Sequence, residues 1–342
     1  MSIEHRPLGR TGVSVSSMCL GAMMFGEWGN PDHGESVRII HRALDAGINF
    51  IDTADVYSQG ESEEILAKAL AGRRDDIVLA TKAHLPMSED PNHRGNSRRW
   101  IVRAVEDSLR RLDTDWIDLF QIHRWDPAVE HDETLGALTD LVQAGKIRYI
   151  GHSTFPASAI VEAQWTSQTR QRQRYVTEQP PYNILDRAVE NEILPLAQRY
   201  GMAVIPYSPL ATGWLSGRHR AGQQTGPTSL ARQRMIADRY DMTRPENQRR
   251  LAAVEQLDDL AEEAGLTLIQ LALAFVRNHP AVTAPIIGPR TMEHLDSQLA
   301  AAGVVLTDDV LDRIDTIVPP GTSINPGENW VSPWLEPAAR RR

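Results

Sequence analysis

Cysteine is nearly missing from this 342-residue chain: Cys19 stands alone, so no internal disulfide and no cysteine-built metal cluster can form. Long apolar runs are missing too. Stretches such as Met202-Ala203-Val204-Ile205 are far too short to cross a bilayer. The opening Met1-Ser2-Ile3-Glu4-His5-Arg6 lacks the charged-then-apolar pattern of a secretory signal. Basic charge is in deficit, and a formal net charge of −9 argues against a nucleic-acid binder. The basic runs at Arg170 to Arg174 and Arg340 to Arg342 are short and read as solvated surface. No Gly/Ser linker or low-complexity segment divides the chain. These absences favour a cytoplasmic protein with a small-molecule partner and no bound metal, and they leave the oligomeric state open.

What is present is a repeated unit. A short apolar run ends in a polar residue, and an amphipathic helix follows. Ser16 to Leu20 leads to Gly21, after which Val37, Ile40 and Leu44 recur at helical spacing and Gly47 stops the helix. Phe50-Ile51 leads to Asp52, Ile77 to Ala80 leads to Lys82, and Ile117 to Ile122 leads to His123. Ile147 to Ile150 leads to Gly151 and Ser153, Tyr175-Val176 to Gln179, Met202 to Ile205 to Tyr207, and Ala284 to Ile287 to Gly288. The count reaches eight, the number that closes a parallel barrel. An open doubly wound sheet is the alternative, but no G-x-G-x-x-G follows the first strand. The expectation is a single-domain (β/α)8 TIM barrel over residues 1–342, with an N-terminal β-hairpin and an extra C-terminal helix and tail. A helix is expected from about Leu251 to Ala264, and Thr267 with Gln270 forms a capping box for the next. Two stretches lack periodicity: a polar excursion over about 218–250 and an irregular tail over about 319–342.

Side chains at the C-terminal strand ends of such a barrel converge on one mouth, where active sites lie. Here those ends carry Asp52, Lys82, His123, Ser153, Gln179 and Tyr207. Buried charges are costly unless paired, so Asp52 and Lys82 on neighbouring strands are expected to meet. Tyr57, just beyond the second strand, shares the mouth. A tyrosine titrating near ~10 is a poor acid at neutral pH, and a neighbouring Lys82 ammonium is expected to lower that value. His123 is placed to orient a carbonyl. A simple barrel-top salt bridge beside a satisfied histidine explains each residue singly, but not three on successive strands. One histidine among scattered carboxylates makes no metal site, and nucleophilic hydrolysis lacks its G-x-S-x-G elbow.

The ordered motifs resemble those of the aldo-keto reductase family, from Leu8 to the last helix. They are Leu20-Gly21-Ala22-Met23, Asp52-Thr53-Ala54-Asp55-Val56-Tyr57, Ala80-Thr81-Lys82, Gln121-Ile122-His123 and Ile150-Gly151-His152-Ser153-Thr154-Phe155. Glu178-Gln179-Pro180-Pro181-Tyr182-Asn183 and Pro206-Tyr207-Ser208-Pro209-Leu210 complete the set. The likeness extends to long-loop bacterial members and to channel-associated β subunits. It implies a catalytic tetrad of Asp52, Tyr57, Lys82 and His123, hydride transfer from a nicotinamide to a carbonyl carbon, and Tyr57 as the proton donor.

The same resemblance assigns a cofactor set. Ser153, Thr154 and Gln179 hold the carboxamide, Tyr207 stacks on the nicotinamide, and Ser208, Pro209, Leu210 and Gly213 follow the pyrophosphate. Gly21, Met23 and Asp52 also belong to the cofactor site, while Gly288, Arg290, His294, Ser297 and Gln298 surround the last helix start. A helix N-terminus attracts phosphate, and Arg290 adds a fork suited to it, which favours NADPH over NADH. Thr154 stands where the family has Asn, Ser58 where Gly is commoner, His152 where an apolar residue is usual, and His294 where Gln or Arg is frequent. Phe25, Trp28 and Trp125, with Tyr57 and His123, are expected to shape the substrate pocket, and Trp330 and Trp334 in the tail either cover it or pin the tail. Two rivals stay open: a slow NADPH-binding redox sensor or regulatory subunit, and a lyase or isomerase using Lys82 as a Schiff base on the same fold.

Overall fold

The computed structural model describes residues 3–219 and 236–326. Residues 220–235 of the polar excursion lie outside the described residues, as do Met1, Ser2 and the tail from 327 on with Trp330, Trp334 and Arg340 to Arg342.

A short antiparallel hairpin comes first, β1 (His5–Pro7) against β2 (Ser14–Ser16). Eight parallel strands follow: β3 (Cys19–Gly21), β4 (Phe50–Asp52), β5 (Val78–Ala83), β6 (Ile117–Ile122), β7 (Ile147–Ser153), β8 (Tyr175–Gln179), β9 (Ala203–Val204) and β10 (Ile286–Ile287). Their order is β10-β3-β4-β5-β6-β7-β8-β9. The two free edges meet: the Thr283 N–H donates to the Val204 carbonyl at 2.9 Å and the Ile286 N–H to the Pro206 carbonyl at 2.8 Å. The sheet is therefore a closed barrel, as the eight-fold repeat required.

Helices α1 (His33–Asp45), α2 (Glu61–Leu70), α3 (Arg98–Leu112), α4 (His131–Gln143) and α5 (Ala157–Arg170) link the first six barrel strands. Then come α6 (Ile193–Tyr200), α7 (Pro245–Glu263), α8 (Leu268–Asn278), α9 (Met292–Leu299) and α10 (Asp308–Ile317). Local chemistry sets their starts. Ser97 accepts the Trp100 N–H, and Thr267 and Gln270 close the expected capping box. Helix α7 begins six residues before the expected Leu251, inside the stretch read as an excursion. Pro245 occupies its first turn, where the missing N–H costs nothing, and Asn247 Nδ2 ties the turn to the carbonyls of Asp238 and Asp241 at 3.0 and 2.9 Å.

Period-two alternation sorts the strand side chains into two layers. Ile51, Leu79, Phe120 and Ile150 pack outward against the helices. Cys19, Phe50, Ala80, Leu119, Ile205 and Ala284 form a second cluster inside the barrel, which Leu8 and Val15 of the hairpin region join. The hairpin thus plugs the N-terminal end. One or two positions further along the same strands, the inward residues change from apolar to polar, and the site begins.

Candidate active site

Alternation from Phe50, Ala80 and Leu119 puts Asp52, Lys82, Gln121 and His123 on the inner face. Parallel register sets Lys82 opposite Gln121 and Asp52 opposite Ala80. Lys82 is completely buried, and its Nζ donates to Asp52 Oδ1 at 2.6 Å, to the Thr53 carbonyl at 2.7 Å and to the Tyr57 hydroxyl at 3.3 Å. Asp52 Oδ2 accepts from Gln121 Nε2 at 3.0 Å and from Gln179 Nε2 at 2.9 Å. All of Lys82's donors and both Asp52 oxygens are committed, which is what a buried charge pair needs to be tolerated.

Burial alone would drain charge from Lys82, but Asp52 and then Tyr57 outweigh it and hold the ammonium above its ordinary value. The expectation for Tyr57 needs correcting. Burial pushes its phenol above the ordinary value, and the opposing pull of Lys82 offsets only part of that. The hydroxyl is firmly protonated at neutral pH. His123 is pushed well below its usual range, by burial first and then by Lys82 and Arg124, so its imidazole is neutral. Its ring meets the edge of Tyr57 with centroids 5.9 Å apart, and its Nδ1 has no partner among the described residues.

The fully buried Lys82 lies behind Asp52, Tyr57 and His123, which line the floor of a pocket of about 850 Å³. Gly21, Met23, Trp28, Ser153, Gln179 and Tyr207 line its inner part, and Gly21 has a packing reason to be glycine. A Cβ there would stand 2.5 Å from the Ile286 side chain on the adjoining strand. Ser208, Pro209, Leu210 and Gly213 run along one wall, and Gly288, Arg290, His294, Ser297 and Gln298 close the far end. Asp52, Tyr57, His123 and most of the expected cofactor set are therefore brought together. Thr154 is not on the wall; it lies behind Ser153, with its hydroxyl 3.5 Å from Tyr207 Oη. Two expected pocket aromatics go elsewhere. Phe25 is fully buried in the outer core, and Trp125 lines a separate hollow bordered by α4 and α5. Trp28 remains, its ring centroid 6.0 Å from that of Tyr57.

Backbone strain concentrates at this mouth. Ser58, Gln59, Thr154, Ser208, Ala211 and Thr212 have left-handed backbones although none is glycine; the two others among the described residues, Asp113 and Gln171, cap the ends of α3 and α5. Ser58, where glycine is commoner, has φ 48, and its Oγ accepts the Trp28 N–H at 3.1 Å, which fixes the Trp28 loop.

The far end is richer in cations than the sequence indicated. Arg218, Arg239 and Arg250 line it together with Arg290. All three belong to the segment read as an excursion, where no periodicity marked them. His294 is pushed below its ordinary value by burial and by Arg290 and Arg218, so it is neutral there. Arg290 Nε and Gln298 Oε1 are buried without a partner among the described residues. Other residues missed were Gln121, enclosed beside Asp52, and Arg124, next to His123 on the pocket wall. The departures noted earlier also find places: His152 faces outward, stacked 4.5 Å from Phe155 and bonded through Nδ1 to Glu178.

A profile of the aldo/keto reductase family matches residues 17–319. The chain belongs to the aldo/keto reductase family. Relatives are similar over more than nine tenths of either chain. An uncharacterized oxidoreductase, YrpG, of Bacillus subtilis (strain 168) is 38% identical over 93% of this chain and 96% of its own. The aldo-keto reductase YhdN of the same organism is 33% identical over 97% and 98%. A probable voltage-gated potassium channel subunit beta of Oryza sativa subsp. japonica is 34% identical over 92% and 97%. The chain is accordingly an oxidoreductase of the barrel type that this family shares. Among the described residues no helix is long and apolar enough to cross a membrane.

Proposed function

We propose that this chain is an NADPH-dependent carbonyl reductase that converts an aldehyde or ketone to an alcohol. The observation that carries the reading is the line Asp52–Lys82–Tyr57, in which one buried ammonium lies 2.6 Å from a carboxylate and 3.3 Å from a phenol. Bound NADPH supplies a hydride from its nicotinamide ring. Tyr57 gives its proton to the carbonyl oxygen as that oxygen gains negative charge. Lys82 stabilises the phenolate left behind, and Asp52 keeps Lys82 in place and charged. Neutral His123 positions the carbonyl beside Tyr57.

The residues suit the cofactor. Gln179 spends an amide N–H on Asp52, which leaves its carbonyl oxygen for the carboxamide; Ser153 is the second holder and Tyr207 the stacking partner. Ser208 to Leu210 and Gly213 follow the pyrophosphate. The unpartnered Arg290 Nε and Gln298 Oε1 match a phosphate and an adenine at the cationic end. One barrel domain accounts for the chemistry, in the cytoplasm, on a small carbonyl substrate.

The test is oxidation of NADPH with a panel of aldehydes, ketones and quinones, wild type against Tyr57→Phe. A fall in kcat of about 100- to 10,000-fold is expected; equal rates remove Tyr57 from the role. A second reading, a nicotinamide-binding regulatory subunit with slow turnover, draws on the relative named as a potassium channel subunit beta. Tight NADPH binding without turnover across the panel favours it.

A further inference from the structure

Beyond helping to keep His123 neutral, Arg124 has no part in the chemistry above. It follows His123 directly, is half-buried and lines the pocket at its reaction end. Nη1 donates to the His123 carbonyl at 2.5 Å and to Ser153 Oγ at 3.3 Å. The guanidinium carbon stands 6.0 Å from the centroid of the Tyr207 ring. Three elements therefore fix its position: the loop after β6, the end of β7 and the loop after β9.

What it lacks is an acid. Among the described residues Arg124 forms no ion pair, although an arginine in a walled pocket gains much from one. Both oxygens of Asp52 are held by Lys82, Gln121 and Gln179. The pocket's other acids sit on different elements: Asp186 on the turn bridged to Asn183 and Ser323, and Glu293 in the first turn of α9. Lys82 is neutralised by Asp52, so Arg124 carries the uncompensated charge beside the reacting groups. Met24, Trp28, Val56 and Leu85 give the pocket an apolar stretch of wall.

Resting on the reductase reading, we propose that Arg124 is a specificity-determining residue that selects carbonyl substrates bearing a carboxylate close to the carbonyl. The guanidinium fork takes the carboxylate through the N–H groups that His123 and Ser153 do not use. The apolar wall packs against the carbon skeleton, and the carbonyl is presented to Tyr57. The alternative, that Arg124 merely orients Ser153, predicts no discrimination between charged and neutral substrates.

The experiment compares ortho-, meta- and para-carboxybenzaldehyde with their methyl esters, following NADPH oxidation by wild type, Arg124→Gln and Arg124→Lys. Each acid and ester share one ring and one aldehyde, so any general loss cancels in their ratio of kcat/KM. For the best-placed isomer wild type favours the acid, and Arg124→Gln lowers the acid-to-ester ratio by about 10- to 100-fold. Arg124→Lys, which keeps the charge but loses the fork, falls between. A ratio that Arg124→Gln does not move, or a wild type that prefers every ester, overturns the assignment while leaving the reductase reading intact. No NADPH oxidation with any of the aldehydes overturns both.

Discussion

Glu178 Oε1 accepts the backbone N–H of Thr154 at 3.0 Å while the other oxygen of the same carboxylate meets His152 Nδ1. Thr154 needs such a hold, because a β-branched residue at φ 56 is strained. Glu178 and His152 are both fully buried, so each leaves the other stranded if it is removed. Glu178→Ala should therefore cost about 3–5 kcal/mol in urea denaturation, and the double change Glu178→Leu with His152→Leu distinctly less. Thr154→Asn should gain about 1 kcal/mol by relieving the left-handed strain. If the losses of Glu178→Leu and His152→Leu, each measured singly, simply add in the double variant, the two side chains are not coupled.

Protonation gives a prediction with two separate limbs. Tyr57 must carry its proton to act as an acid, and burial holds its pKa above the ordinary value of 10.0, so kcat/KM should stay level through neutral pH and fall only beyond that value. His123 works in the opposite sense on stability. Its folded-state pKa is depressed by burial and by Lys82, so as pH falls below 6.5 the unfolded chain takes up a proton that the folded chain refuses. The contribution is intact above that value and is lost on acidification, at up to about 1.4 kcal/mol per pH unit. Unfolding curves of wild type and His123→Gln, recorded between about pH 7 and pH 5, should show the wild-type advantage shrinking. A constant difference would mean that His123 is not buried neutral.

The cationic far end predicts a cofactor split. Arg290→Ala should raise the KM for NADPH by about 10- to 100-fold and that for NADH by less than about threefold, since only NADPH brings a further phosphate for the fork. Equal losses with both cofactors would assign Arg290 to the pyrophosphate, which they share.

Most of this arrangement was written in periodic signals. Eight apolar runs ending in polar residues locate the barrel and its mouth, and alternation from Phe50, Ala80 and Leu119 delivers Asp52, Lys82 and His123 to one layer. What escaped was loop geometry, which no period encodes. Trp125 turns toward α4 and α5 rather than the mouth, and Phe25 folds under the first loop into the core. Arg218, Arg239 and Arg250 reach the pocket from a segment whose composition resembles solvated linker. The sign of the Tyr57 shift was also out of reach. It depends on how completely the phenol is enclosed, and sequence separation carries no measure of that.

The chain's single thiol sits in the inner layer of the barrel, fully enclosed, and burial holds it well above its ordinary titration range. A thiol-modifying reagent can reach Cys19 only while that layer is parted, so the labelling rate keeps time for breathing of the whole barrel. The clock starts and stops without a label having to be engineered. Run with and without NADPH, it reads how tightly an occupied mouth staples shut the strands beneath it, at one sulfur atom that no other cysteine can mimic.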